Sequence, residues 1–141
     1  MVFLLLVVLC LGPSRAGGEE LSEYGNPFTW VALGQVSVKA EVVKTPEKVY
    51  LGLSYRKELP EGRGLLFVMP QTEVQSFCMR GMLFPIDIIW LMPGKVVGIE
   101  KNVSPQFQGD LVSPAPVKYV LEVPGGFADK YGLKAGDKAS W

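Results

Sequence analysis

Beyond residue 35 the apolar runs of this chain are short, and each is soon stopped by proline or glycine. "GLLFVMP" closes on Pro70, "VQSFCM" is cut off at Gly81, and "FPIDIIWL" runs into Pro93-Gly94. Proline cannot donate a backbone hydrogen bond and glycine weakens both helix and strand, so apolar stretches this brief suit strands rather than long helices.

The remaining pattern agrees. From Gln35, "QVSVKAEVV" alternates, with Val36, Val38, Ala40 and Val42 on one face and Ser37, Lys39 and Glu41 on the other. That is the period of a half-buried strand. The period then changes: Thr45 can cap a helix, Pro46 suits its first position, and Glu47 favours the positive end of its dipole. Val49 and Leu53 fall on one side of that helix, which Gly52 and Leu59-Pro60 keep short. Pro93-Gly94 predicts a hairpin joining "FPIDIIWL" to "KVVGI". Residues 101–116 lack periodicity and carry three prolines, a stretch longer than most structureless loops, which rarely exceed about 12–15 residues. "VKYVLEV" reads as a further strand, and "GGFADKYG" as one or two helical turns ending at Gly132. In "LKAGD", Gly136 supplies an unusual dihedral and Asp137 bonds nearby amides. The sum is a mainly β domain, a small barrel or rolled sheet of about seven strands with two short helices.

The chain opens differently. Val2 to Leu11 is an unbroken apolar run, broken by Gly12-Pro13, and Ser14-Arg15-Ala16 places small residues around a cleavage point. This is the layout of a secretory signal over residues 1–16. The run is about half the roughly 20 residues that a spanning helix needs, so no permanent membrane span is expected. Leu9 is too bulky for a lipidation box at Cys10. Residues 17–34 read as a loosely attached leader and 35–141 as the single domain. The expected location is periplasmic or secreted.

Composition then removes several classes of chemistry. There are 14 basic and 14 acidic residues, so the surplus of positive charge that drives nucleic-acid binding is missing. Histidine is absent, which excludes Ser-His-Asp triads, Cys-His pairs and His-containing zinc sites. Once the signal is removed Cys78 is alone, so no intramolecular disulfide can form. Flanked by Phe77 and Met79, it reads as a small buried hydrophobe. No loop carries the alternating acids of a calcium site, although Asp87, Asp110 and Glu122 could offer oxygens. No metal or cofactor is expected. Asn102-Val103-Ser104 fits a glycosylation acceptor, a tripeptide common by chance.

The candidate polar cluster is Arg56, Arg80, Asp87 and Glu122. Asp87 shares a strand face with Ile89 and Leu91, and a lone buried carboxylate is costly, so a partner is needed. Arg56 and Arg80 can supply it, because a guanidinium fork matches a carboxylate bidentately. The pair is either structural or also lines a ligand pocket; an exposed Asp87 is the third possibility. Glu122 shares its strand face with Lys118 and Val120 and either meets solvent or joins the cluster.

Three segments together carry a resemblance: "GLSYRKELPEGRGLLFVMP", "SFCMRGMLFPIDIIWL" and "KYVLEVPGGFADKYGLKAGDKA". In order and spacing the chain resembles the domain-of-unknown-function 192 family, the uncharacterised ACR family, over about residues 35–140. Gly52-Leu53 with Arg56 matches its Gly-Leu-x-x-Arg pattern. Gly64 with Leu66-Phe67 matches its Gly-Met-Leu-Phe, and Pro85-Ile86-Asp87-Ile88 its Pro-Leu-Asp-Ile. Tyr119-Val120-Leu121-Glu122 and Gly136-Asp137 match later signatures. Where the family reads Phe-Trp-Met-Lys-Asn-Thr, this chain reads Phe77-Cys78-Met79-Arg80-Gly81-Met82, losing the aromatic, the amide and the hydroxyl. The resemblance implies a small, mostly β domain, often exported in bacteria, with no assigned activity.

Two functions stay open. One is a binding or accessory module of the bacterial envelope that holds a small polar ligand, a glycan or another exported protein. The other is a hydrolase or lyase using the carboxylates of Asp87 and Glu122, with Arg56 on an anionic group. Convergence of those three residues on one cleft open to water distinguishes them. Oligomeric state leaves no mark in the sequence.

Overall fold

A computed structural model describes residues 17–141; the signal assigned to residues 1–16 lies outside them. Nine strands and two helices follow one another: β1 (Phe28–Leu33), β2 (Val36–Val43), α1 (Pro46–Leu51), β3 (Arg63–Glu73), β4 (Ser76–Phe77), β5 (Ile86–Met92), β6 (Gly94–Val103), β7 (Leu111–Val112), β8 (Val117–Pro124), α2 (Phe127–Tyr131) and β9 (Lys138–Ser140). Seven strands close into a barrel in the order β1-β2-β3-β8-β5-β6-β9, and β9 returns to β1. The mainly β barrel with two short helices is thus the fold.

Period-2 alternation sorts the side chains into two layers. Val31, Leu33, Val38, Ala40, Leu66, Ile89, Leu91, Leu121 and Val123 fill the barrel interior. The opposite face of β3, β5 and β8 is also buried: Leu65, Phe67, Ile88, Trp90 and Val120 form a second cluster with Leu53, Met79, Met82 and Leu111. That outer layer is covered by the chain around α1 and by a separate two-stranded ribbon of β4 and β7. Phe77 anchors the ribbon, its ring meeting Phe67 at 5.0 Å and Trp90 at 5.7 Å between centroids, both edge-on.

The β2–β3 pair runs parallel. A parallel pair cannot be joined by a hairpin and needs a crossover, which residues 44–62 with α1 provide. Thr45 caps α1 through Lys48 N, and Pro46 stands in its first turn. The β5–β6 hairpin turns at Pro93-Gly94, where Gly94 takes φ +96°.

Three sequence expectations change. Residues 28–33, read as part of a loose leader, form the barrel strand β1, with Val31 and Leu33 pointing inward. "VQSFCM" contributes only Ser76 and Phe77 as strand, and they leave the barrel to form the ribbon. The aperiodic stretch 101–116 begins inside β6 and contains β7.

Candidate functional site

Asp87 is fully buried at the barrel's inner face, and the arginine pair expected for it does not form. Its Oδ1 accepts from Asn102 N at 2.7 Å and Gly126 N at 2.9 Å, and its Oδ2 from Ala128 N at 2.7 Å. Gly126 is the N-cap of α2 and has no side chain to do this work; Asp87 caps the helix from β5 instead. Backbone amides replace the guanidinium, satisfying the buried carboxylate at no cost in side chains.

Arg56 is held elsewhere. Its Nη1 donates to Glu41 Oε1 at 2.7 Å and its Nη2 to Glu41 Oε2 at 3.0 Å. Both side chains are buried, at 7% and 10% exposure. Glu41 Oε2 also accepts from Asn26 Nδ2 at 2.8 Å and Ser22 Oγ at 3.0 Å, and the Tyr24 ring lies against the guanidinium at 3.6 Å. Burial pushes the Glu41 carboxyl up, but the bonds from Arg56, Asn26 and Ser22 and the Arg56 charge hold it below its ordinary range. Alternation sets Glu41 on the polar face of its strand, and it sits on that face, buried. What covers it is the segment 20–27, whose docking leaves no periodic signal. An open groove of about 740 Å³ lies over this pair, lined among others by Tyr24, Phe28, Lys39, Tyr55 and Arg63.

Arg80 is exposed. It donates to the Tyr50 hydroxyl and carbonyl and stacks on the Tyr50 ring at 4.0 Å. It has no carboxylate partner among the described residues.

Trp90 Nε1 is buried without a partner among the described residues, and Glu122 is a nearly buried acid whose burial is offset by the Arg56 charge alone. Strand register sets Glu41, Leu65, Glu122 and Ile88 in one row across β2, β3, β8 and β5. Strand spacing puts the backbones of Glu41 and Glu122 about 10 Å apart. Glu122 is 5% exposed, and no hydrogen bond holds its carboxyl among the described residues. Burial pushes it up to about 8, with the Arg56 charge opposing; at neutral pH it is a carboxylic acid. It forms the floor of a cavity of about 310 Å³. Val49, Leu53, Phe67, Met69, Phe77 and Met82 supply apolar walls, while Tyr50 and Arg80 stand at the exposed side, joined by Cys78, which is exposed and not the buried hydrophobe expected from its neighbours.

Of the four candidates, Arg56 and Glu122 are electrostatic neighbours, Arg80 meets Glu122 only across the cavity, and Asp87 stands on the other side of the barrel wall. Asp87 and Glu122 therefore share no cleft, and with Asp110 they do not converge as calcium ligands. Among the described residues no group of three or more His, Cys, Asp or Glu side chains is placed to hold a metal ion. No described helix is long and apolar enough to cross a membrane.

A closed seven-stranded mixed barrel with a side cavity over a buried acid defines the class of protein. The chain belongs to the domain-of-unknown-function 192 family (DUF192, uncharacterized ACR), whose model matches residues 29–141. A crystal structure of a protein of unknown function from Novosphingobium aromaticivorans is similar, with 27% identity and a TM-score of 0.82 over 92% of this chain and all of that one. A second, from Sinorhizobium meliloti, is described only provisionally as a transcription regulator. It shares 25% identity and a TM-score of 0.78, covering 87% of this chain and 97% of the other. No curated protein matches the sequence.

Proposed function

We propose that this protein is an exported binding module of the bacterial envelope and that the cavity over Glu122 holds its ligand. The observation that carries the reading is a nearly buried carboxyl, without a hydrogen bond among the described residues, that faces a mostly apolar cavity. Holding such a group without a hydrogen bond is unfavourable, and a ligand that bonds it offsets that cost. The departures from the family's Phe-Trp-Met-Lys-Asn-Thr pattern add support, since Cys78, Arg80 and Met82 all line this cavity. Selection of a particular ligand gives a reason for change there.

A hydrolase or lyase working through Asp87 and Glu122 finds no such support. An acid and a base acting on one bond need a common cleft, and Asp87 is consumed by three amides on the inner face. Glu41, the other carboxylate near Arg56, opens on the groove rather than on the cavity. Nor does the description of the Sinorhizobium protein carry over, because 14 basic against 14 acidic residues leave no surplus for a phosphate backbone.

The test is a thermal-shift screen of envelope metabolites at pH 6, with hits mapped by methionine-methyl NMR. A ligand in the cavity shifts Met69 and Met82, which line it, and spares Met92, which does not. Hits that move neither methyl place binding elsewhere and overturn the assignment. Export is checked by intact mass: the processed protein begins at Gly17.

A further inference from the structure

We propose that the Glu122 cavity selects a small molecule with an apolar body, an anionic group at one end and an amide-type donor–acceptor pair at the other. This rests on the reading of the cavity as the binding site and adds the chemistry of what enters it.

Size sets the first limit. Ligand sites run from about 300 to 1,000 Å³, and at about 310 Å³ this one is at the low end. It admits a single ring or a short chain, not an oligosaccharide or a peptide. The walls of Val49, Leu53, Phe67, Met69, Phe77 and Met82 offer that body no hydrogen bonds beyond backbone, so it is apolar.

The floor sets the second. A protonated carboxyl presents one donor and one acceptor side by side. The group that answers both is a primary amide, a lactam or a second carboxylic acid, each with its own adjacent acceptor and donor. A cation would also pair with Glu122, by displacing its proton. The charges around the cavity oppose that choice. Arg56 is outside the cavity lining but acts on Glu122 electrostatically, and Arg80 lines the cavity as an exposed residue. The remaining polar groups facing the space, from Tyr50, Ser54, Ser76 and Cys78, bring no carboxylate. Glu41 is already committed to Arg56.

The mouth sets the third. Arg80 is anchored by Tyr50, through its ring, hydroxyl and carbonyl, yet pairs with no acid among the described residues. A guanidinium fixed in place and left without an anion is suited to a carboxylate or phosphate. Tyr50 is 71% exposed, so the anion keeps contact with water while the body is buried.

The purified protein is titrated calorimetrically with 4-carbamoylbenzoate, 4-carbamoylphenylacetate and 3-(4-carbamoylphenyl)propanoate, a series that varies the spacing between the two ends. Benzoate analogues without the amide, 4-methylbenzamide without the carboxylate, and phenethylamine serve as comparisons. At least one amide acid binds about tenfold or more tightly than either truncated analogue, each lost contact being worth about a factor of ten. Arg80→Gln removes that advantage for the carboxylate-bearing probes and leaves 4-methylbenzamide unchanged. Affinity for the amide acids falls as pH rises through about 8 in the native protein, but not in Glu122→Gln. If phenethylamine binds tightest and gains affinity with pH, the ligand class is wrong while the cavity remains a binding site. If no probe or metabolite moves the Met69 and Met82 methyls, both readings fall.

Discussion

Glu122 is an acid whose protonation is coupled to folding. Its carboxyl rises from an ordinary value of 4.5 to about 8 in the folded protein, so between those limits the native state holds a proton that the unfolded chain has lost. Its contribution is complete below pH 4.5, declines as pH rises, and is gone above 8. At about 1.4 kcal/mol per unit, that is on the order of 5 kcal/mol. Glu41 runs the other way: held below its usual range, it stabilises at higher pH and loses that contribution as pH falls through its folded value. Stability therefore peaks on the acid side of neutrality. Glu122→Gln flattens the decline between pH 5 and 8, and denaturant melts at both values check this.

Arg56 tests the buried pair. Arg56→Ala leaves Glu41 charged and unpaired, a loss of about 3–5 kcal/mol. Replacing both, as Arg56→Met with Glu41→Leu, recovers only part of it: two apolar side chains incur no desolvation penalty, but the buried Asn26 amide loses its acceptor. Urea titration of the two variants separates these outcomes.

At the scale of elements, α2 is the instructive case. It has five residues, too few to stand alone, and depends on a carboxylate from another strand. Asp87→Ala orphans one buried and two partly buried amides and should cost about 3 kcal/mol. Asp87→Asn keeps one acceptor but turns an amide donor toward a backbone N–H, so it rescues only part, as thermal unfolding would show. Gly125 belongs to the same device: a Cβ there would lie 2.5 Å from Asn102 Oδ1 and 3.1 Å from the Pro85 backbone. The site was partly legible at this level. Alternation placed Asp87 with Ile89 and Leu91, and Glu122 with Val120, as the structure has them. What satisfies Asp87 was hidden, because backbone amides carry no residue-type signal. Arg56 and Arg80 were the visible cations, and each had a partner that periodicity could not reveal.

For the molecule as a whole, the mainly β barrel was readable from short punctuated runs and the Pro93-Gly94 hairpin. The burial of β3 and β5 on both faces was readable from their near-continuous apolar runs, whereas that of β8 was not. A strand that alternates apolar and polar residues predicts one wet face; here α1 and the β4–β7 ribbon cover that face and turn Glu122 into an interior acid. The ribbon itself is two residues per strand, below what any periodic pattern can register. Native-state hydrogen exchange would rank the parts: amides of β5 and β8, paired on both sides, exchange slowest, and those of β9 fastest among the barrel strands.

That last ranking follows from how the ring is fastened. β9 meets β1 through two residue pairs, Ala32–Ser140 and Leu33–Ala139, and meets β6 through two more, Gly94–Ala139 and Lys95–Lys138. The strands at this seam are the first and the last of the domain. A ring joined in that way stays open on a half-made chain, however stable its finished form, and shuts only when synthesis has delivered both lips. Until then β1 and β6 present bare edges, and the four pairs made by β9 are what cover them.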